Sequence, residues 1–337
     1  MTTGVNRRAA LGLGAAAVLG TGLPAAVVPG KASAATGLAP AVPERGPAAP
    51  AAGRTPGERI QRRYRAETVR AGGAWQALIS HLGQPVVASH ADDLVEAYSV
   101  NKVAVAVAVL DKVDRGQASL AQRLEVTAEI VNHAGDGIFP LDGAYPSSVT
   151  LGHALALLLS VSDDTANRLA GLVTPTVEVN QTLVAKGFPR TQVSPSANPN
   201  RFYLGKTTPR ETHDLFNALA AGRLLSASST EFVLKVLRSQ AAHTDGIRRD
   251  LSSDERARVA TKAGWFTNGR NEAGIVFDAT GAPTLTYALF SQGAGDPTDF
   301  GGTNAAIQAR VALGRLFVDI VGPGTSRTPA YTPTNGG

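Results

Sequence analysis

The chain is predicted to be an α+β protein (an α/β sandwich), in which the N- and C-terminal segments build one antiparallel sheet and a helical subdomain is inserted between them. Three observations carry that expectation. Strand-like runs occur near both ends, at residues 75–80 and 85–88 and again at 257–262, 272–278 and 283–291. The middle holds long Ala/Val/Leu runs of helical length, at 102–114 and 151–159. A length of 337 residues with 43% hydrophobic content can bury one large core.

Residues 58–70 read as a charged helix. The strand at 75–80 turns at Gly83-Gln84 into 85–88, a hairpin. The run 102–114 is apolar on nearly all sides, which predicts a helix buried in the middle of the domain, with Ser99 at its N-terminal end. A second apolar helix at 151–159 leads into Ser162, and helical spacing resumes over 164–172. Thr208-Pro209 is a cap followed by proline at a first turn, opening a helix through 212–221. The three C-terminal strands are joined by turns at Gly269 and Gly281, and a helix at 303–320 ends the fold. No internal repeat is evident.

The ends read differently. Arg7-Arg8, an Ala/Gly/Leu/Val run over 9–28 and the A-x-A site Ala32-Ser33-Ala34 form an export signal over 1–34, whose cleavage leaves Ala35 first. Its paired arginines and weakly hydrophobic, Gly-rich core resemble a twin-arginine signal, which exports folded protein. A stable membrane anchor is disfavoured, since Gly12, Gly14, Gly20, Gly22, Pro24 and Pro29 break up the apolar run. Residues 35–57 are a Pro/Ala-rich linker, 58–321 the folded domain, and 322–337 a disordered tail. There is no cysteine, so stability comes from packing rather than disulfides. The formal charge of +5 falls to about +2 once Arg7, Arg8 and Lys31 leave with the signal, which removes any charge-based case for nucleic acid.

Three short motifs carry the chemistry, in a fixed order: Ser99-Val100-Asn101-Lys102, Ser162-Asp163-Asp164 and Lys262-Ala263-Gly264. A serine hydroxyl is a poor nucleophile until a base takes its proton, and Lys102, three residues on at a helix start, falls on the same face. A desolvated lysine near another cation can lose its proton and serve as that base; Lys262 can be the other cation. Each motif has a plainer reading: Ser99 as a helix cap, Ser162 and Asp164 as caps of the following helix, and Lys262 as a solvated edge-strand lysine. Order and setting together favour the catalytic one. The six histidines (His81, His90, His133, His153, His213, His243) show no metal-ligand spacing.

In these three motifs the chain resembles the class A β-lactamases and the wider group of penicillin-recognising serine enzymes. Residues 98–115 resemble the nucleophile helix, 159–167 the S-D-N-T-A segment and 259–264 the K-T-G strand, and the likeness spans 58–321. The resemblance implies a β-lactamase/transpeptidase-like fold, an acyl-enzyme on Ser99, Lys102 as base, Ser162 relaying a proton to the leaving nitrogen, and Lys262 as second cation. It also implies an oxyanion hole from the Ser99 and Trp265 backbone N–H groups, and substrate contacts at Asp164, Ala263, Gly264 and Trp265. No metal or cofactor is required.

The sequence departs from the family at three places. The loop that carries a deacylating glutamate in class A enzymes corresponds to 194–206, which holds no carboxylate; Glu178 precedes it and Glu211 follows. Asp164 replaces an asparagine whose N–H₂ donates to substrate, and a carboxylate cannot donate but can keep Lys102 protonated. Ala263 lacks the hydroxyl of K-T-G, and Trp265 sets a large ring beside the oxyanion hole. The expectation is therefore an exported, monomeric serine hydrolase that opens β-lactam amides and releases the acyl group slowly. The alternatives are a D,D-peptidase or esterase on the same scaffold, or a protein that binds β-lactam or peptidoglycan without turnover.

Overall fold

The structure, a computed structural model, describes residues 55–323. The export signal, most of the linker and nearly all of the tail lie outside the described residues. The first helix, α1 (Pro56–Ala71), starts earlier than its charge pattern suggests. Thr55 and Glu58 form a reciprocal capping box with Pro56 in the first turn, so the helix begins inside the segment read as linker.

The hairpin β1 (Ala74–His81) and β2 (Gln84–Ser89) follows. After β3 (Val95–Glu96), a 3₁₀ turn at Tyr98–Asn101 runs into α2 (Lys102–Asp114). The helical part continues with β4 (Arg123–Val126), α3 (Phe139–Asp142), β5 (Ser147–Thr150), α4 (Leu151–Ser160), α5 (Asp164–Val173) and α6 (Thr176–Ala185). It is completed by β6 (Gln192–Pro195), β7 (Phe202–Thr207), α7 (Pro209–Ala220), α8 (Ala227–Arg238) and α9 (Ser253–Arg256). The chain then returns to the sheet through β8 (Val259–Phe266), β9 (Gly269–Phe277) and β10 (Pro283–Gln292), and ends in α10 (Ala305–Val321).

The five-stranded sheet has the order β2-β1-β10-β9-β8, with every neighbouring pair antiparallel, so the two chain ends meet at β1 and β10. Its faces bury different layers. Ala260, Ala273, Ile275 and Phe290 face the helical part, where α2 contributes an unbroken buried run from Lys102 to Leu110. Val276, Tyr287 and Leu289 face the other way, against Ile60 and Tyr64 of α1 and Leu313 and Phe317 of α10. A helix apolar all round has no solvent face to present, and α2 accordingly lies at the centre of the larger core.

Two local readings are corrected. The turn before β9 is at residues 267–268, and Gly269 is already in the strand, where a Cβ would fall 2.3 Å from Tyr98 Cε2. The stretch 194–206 is not one open loop, because its ends pair as β6 and β7.

Candidate active site

Ser99 lies half-buried in the 3₁₀ turn, and Lys102 opens α2 with its side chain fully enclosed. Burying an ammonium is costly unless its N–H groups are paired. Lys102 Nζ donates to Ser162 O at 2.5 Å, Ser162 Oγ at 3.1 Å and Asp164 Oδ1 at 2.7 Å. These three acceptors match the three donors of a charged lysine. Lys262 Nζ reaches the same hydroxyl from the sheet, donating to Ser162 Oγ at 3.0 Å and to Ala263 O at 2.6 Å. Ser162 Oγ therefore sits between two buried lysines and keeps its own proton to donate.

The Ser162 segment is held by a strap of backbone. Asp163 caps α5 by accepting from Ala166 N at 2.9 Å, and its other oxygen accepts from Ile138 N and Phe139 N at 2.6 and 3.0 Å. Asp164 Oδ2 accepts from Asp136 N at 3.0 Å, and both carboxylates gain from the positive end of the α5 dipole. Gly137 is required for the strap: at φ +126° a side chain is strained, and a Cβ would lie 2.1 Å from Asp163 Oδ2.

On the sheet side, β8 is an edge strand, with Lys262 and Gly264 on the face turned to the helices. A Cβ at Gly264 would lie 2.6 Å from the Ser99 backbone nitrogen, so only glycine lets β8 come this close to the serine. Ala263 points away, is 1% exposed and stands opposite Glu272 of β9. Behind the strand, Glu272 accepts from Thr261 Oγ1 at 2.7 Å and from Ile247 N, and lies 3.5 Å from Arg310 Nε; Tyr287 OH donates to Thr261. Glu272, Arg310 and Tyr287 belong to no motif, and nothing in their sequence setting marks them.

Burial dominates the electrostatics. It pushes the Lys102 pKa below the ordinary lysine value, opposed by the charge and hydrogen bond of Asp164. Lys262 is driven well below its ordinary value by burial and then by the charge of Lys102. Glu272 is raised by burial, opposed by Arg310. Two enclosed lysines on one hydroxyl, with Asp164 bonded to Lys102 and, among the described residues, no carboxylate bonded to Lys262, favour release of a proton from the pair.

A cavity of about 230 Å³ opens beside this cluster, bordered by Ser162, Lys262, Trp265, Gln240, His243 and Thr244. The His243 ring packs on Trp265 at 5.5 Å and bonds Asp245 O through Nε2. Its pKa is lowered to about 3 by burial and then by the charges of Arg310 and Lys262, so it is neutral at pH 7. Asp164 and Trp265 thus border or flank the cluster, whereas Ala263 enters it only through its carbonyl.

A second serine, histidine and aspartate stand in line elsewhere: Ser80 Oγ is 2.8 Å from His213 Nε2, and His213 Nδ1 is 2.9 Å from Asp214 Oδ1. Ser80 is 3% exposed between β1 and α7, so this chain joins the sheet to a helix rather than meeting a substrate. The two glutamates flanking 194–206 are also committed elsewhere. Glu178 pairs with Lys112 at 2.5 Å, and Glu211 accepts from Arg190 N and Thr191 Oγ1. Among the described residues, no group of three or more His, Cys, Asp or Glu is placed to hold a metal ion, and no helix is long and apolar enough to cross a membrane.

Comparison with known proteins gives the same architecture. No curated protein matches the chain. A β-lactamase from Sphaerobacter thermophilus superposes with a TM-score of 0.65 at 24% identity, covering 78% of this chain and 96% of its own. A class A β-lactamase from Bacteroides cellulosilyticus gives 0.67 at 20% identity, covering 80% and 99%. A mutant of PBP-A, solved as an acyl-enzyme complex with penicillin G, gives 0.63 at 19% identity, covering 77% and 95%. At these identities the likeness speaks for the fold, whereas the profile of the "Beta-lactamase enzyme family" matches residues 58–320, nearly the whole described domain. The chain belongs to the β-lactamase enzyme family and is a β-lactamase-like serine hydrolase.

Proposed function

We propose that the protein is exported and forms an acyl-enzyme on Ser99, opening β-lactam amides and releasing the acyl group slowly. The observation that carries this is the Ser162 hydroxyl held between Lys102 Nζ and Lys262 Nζ at 3.1 and 3.0 Å. In the state where the pair has released a proton from Lys102, that lysine takes the Ser99 proton as Oγ attacks the amide carbonyl, and the backbone N–H groups of Ser99 and Trp265 receive the developing oxyanion. The proton then passes from Lys102 through Ser162 to the leaving nitrogen, the C–N bond breaks, and the ester on Ser99 remains. Lys262, with Gln240 and Thr244 across the cavity, offers donors to an anionic group on the substrate, where Ala263 has no hydroxyl to give. Water later hydrolyses the ester without a loop carboxylate to activate it.

A D,D-peptidase or an esterase is the second reading, favoured by the engagement of Glu178 and Glu211 with other partners. Both share the first half-reaction. The decisive experiment is intact mass spectrometry of the purified protein with a reactive penicillin, followed over hours. One acyl group mapped to Ser99 and lost in Ser99→Ala, with the variant still folded, is the expected result; labelling that persists in Ser99→Ala removes Ser99 from the mechanism. Export is tested separately, by finding Ala35 at the N-terminus of the protein recovered outside the cell.

A further inference from the structure

Helix α1 carries five arginines against two glutamates, and no lysine. At 3.6 residues per turn, Arg59, Arg62, Arg63 and Arg70 fall with Ala66 inside one stripe roughly 100° wide, which runs about 16 Å along the helix axis. Glu67, 7% exposed, holds two of these arginines in the stripe: it accepts from Arg63 Nη1 at 3.1 Å and from Arg70 Nε at 2.8 Å. Glu58 is turned back into the N-terminal capping box, where it accepts from Thr55 N. Arg59 and Arg62 are exposed and have no acidic partner among the described residues. The stripe therefore has a clear excess of positive charge. It borders a trough of about 360 Å³ between α1 and α10, lined by Arg59, Arg62, Arg63, Ala66 and Leu316, with Leu316 recessed at 8% exposed. Both helices cover the face of the sheet turned away from α2, so the trough lies across the sheet from Lys102.

We propose that this trough is a docking groove for a linear polyol phosphate polymer, a chain of phosphodiesters without bases, which tethers the protein and leaves the Ser99 region open. The inference goes beyond acyl transfer and does not depend on it. Three features select this occupant. A guanidinium group is a planar fork that bonds phosphate oxygens in pairs, and every cation of the stripe is an arginine. An interfacial helix buries a broad apolar face in a bilayer, whereas here Leu316 is sunk between the helices and Val69 alone protrudes from the C-terminal half of α1. A single-stranded nucleic acid is held by aromatic side chains that stack on its bases, and no aromatic residue lines the trough.

The test is fluorescence anisotropy with a labelled glycerol phosphate dodecamer, titrated with the purified protein at salt concentrations from about 50 to 200 mM. Wild type is compared with the double variant Arg59→Gln/Arg62→Gln and with Arg223→Gln, a control at an exposed arginine beyond α7. Glutamine keeps nearly the helix propensity of arginine, so the double variant retains α1. The expected result is salt-sensitive binding by the wild type and by Arg223→Gln. In the double variant, affinity falls about tenfold or more, and the slope of log K against log salt becomes shallower by about 0.7 for each arginine removed. A thymidylate dodecamer of equal phosphate number binds more weakly than the glycerol phosphate chain, and vesicles of phosphatidylglycerol and phosphatidylcholine do not sediment the protein. Unchanged affinity in the double variant, an equal loss in Arg223→Gln, equal binding of the thymidylate or sedimentation with the vesicles overturns the proposal. Ser99 acylation by penicillin, measured on the same samples, is the same in all three proteins; polymer binding without acylation overturns the acyl-transfer reading alone.

Discussion

Lys102 Nζ stands 2.7 Å from Asp164 Oδ1, with the lysine side chain fully enclosed and the aspartate side chain 31% exposed. A desolvated cation is thus held by an anion that still touches water. Burial alone favours a neutral Lys102, and Asp164 opposes it. The aspartate therefore sets how readily the lysine gives up or takes on a proton.

Asp164→Asn is expected to raise the rate of acylation at and below neutral pH. Removing the carboxylate leaves burial less opposed, so the Lys102 pKa falls further, with Asp136 and Asp163 the remaining anions acting on it. The neutral base then persists to lower pH, and the acid limb of the acylation profile moves down. A shift of about one pH unit corresponds to about tenfold in rate on that limb. Stopped-flow acylation from pH 5 to 9 measures it; an unmoved limb shows that another group controls the reaction.

The acyl-enzyme is expected to outlast its formation by a wide margin. General-base assistance is worth about 10²–10⁴-fold, and residues 194–206 supply no carboxylate. The adduct mass should therefore decay over minutes to hours after free penicillin is removed. Decay within seconds shows that a different group activates the water.

Ser80→Ala is expected to weaken the fold and spare the chemistry. It leaves His213 Nε2 without its 2.8 Å partner in a buried position, a loss of about 1–3 kcal/mol. Denaturant unfolding measures the first effect and the Ser99 acylation rate the second. A large loss of acylation in a folded variant assigns this serine a part in the reaction.

His243 makes the fold sensitive to acid. Its pKa is about 3 in place against 6.5 in the unfolded chain, so the unfolded state takes up the proton first as pH falls. The stability this group contributes is complete above about pH 6.5 and is lost progressively down to about pH 3. Arg310, Lys262 and Arg248 all disfavour a charge there. His243→Gln is expected to flatten the denaturation midpoint across that interval relative to the wild type; equal slopes show that other groups carry the acid sensitivity.

Features with a local physical signature were legible in the sequence. The buried helix α2 announces itself because every side of it is apolar, strand-like runs stand near both ends of the chain, and α7 opens on Thr208-Pro209. Ser99, Lys102, Ser162 and Lys262 were recognisable because their order and settings are those of a known chemistry. Elements without such signatures were not foreseen: β4 and β5 are four residues long, and α6 carries only a weak apolar stripe, with Val179 and Leu183 as its buried apolar residues. Their placement comes from the core they close.

By itself, the sequence determined the fold class, the three motifs that make up the candidate site and the absence of a carboxylate from 194–206. Only the tertiary structure brought Lys102 and Lys262, 60 and 100 residues from Ser162, onto one hydroxyl. It also enclosed Glu272 with Arg310 behind β8, and set Phe266 against Tyr98. These relationships depend on how a sheet edge closes on a helix bundle, and on where burial removes water from a charge. Neither is written in the spacing of residues along the chain, because long-range packing and desolvation arise only when separate segments meet.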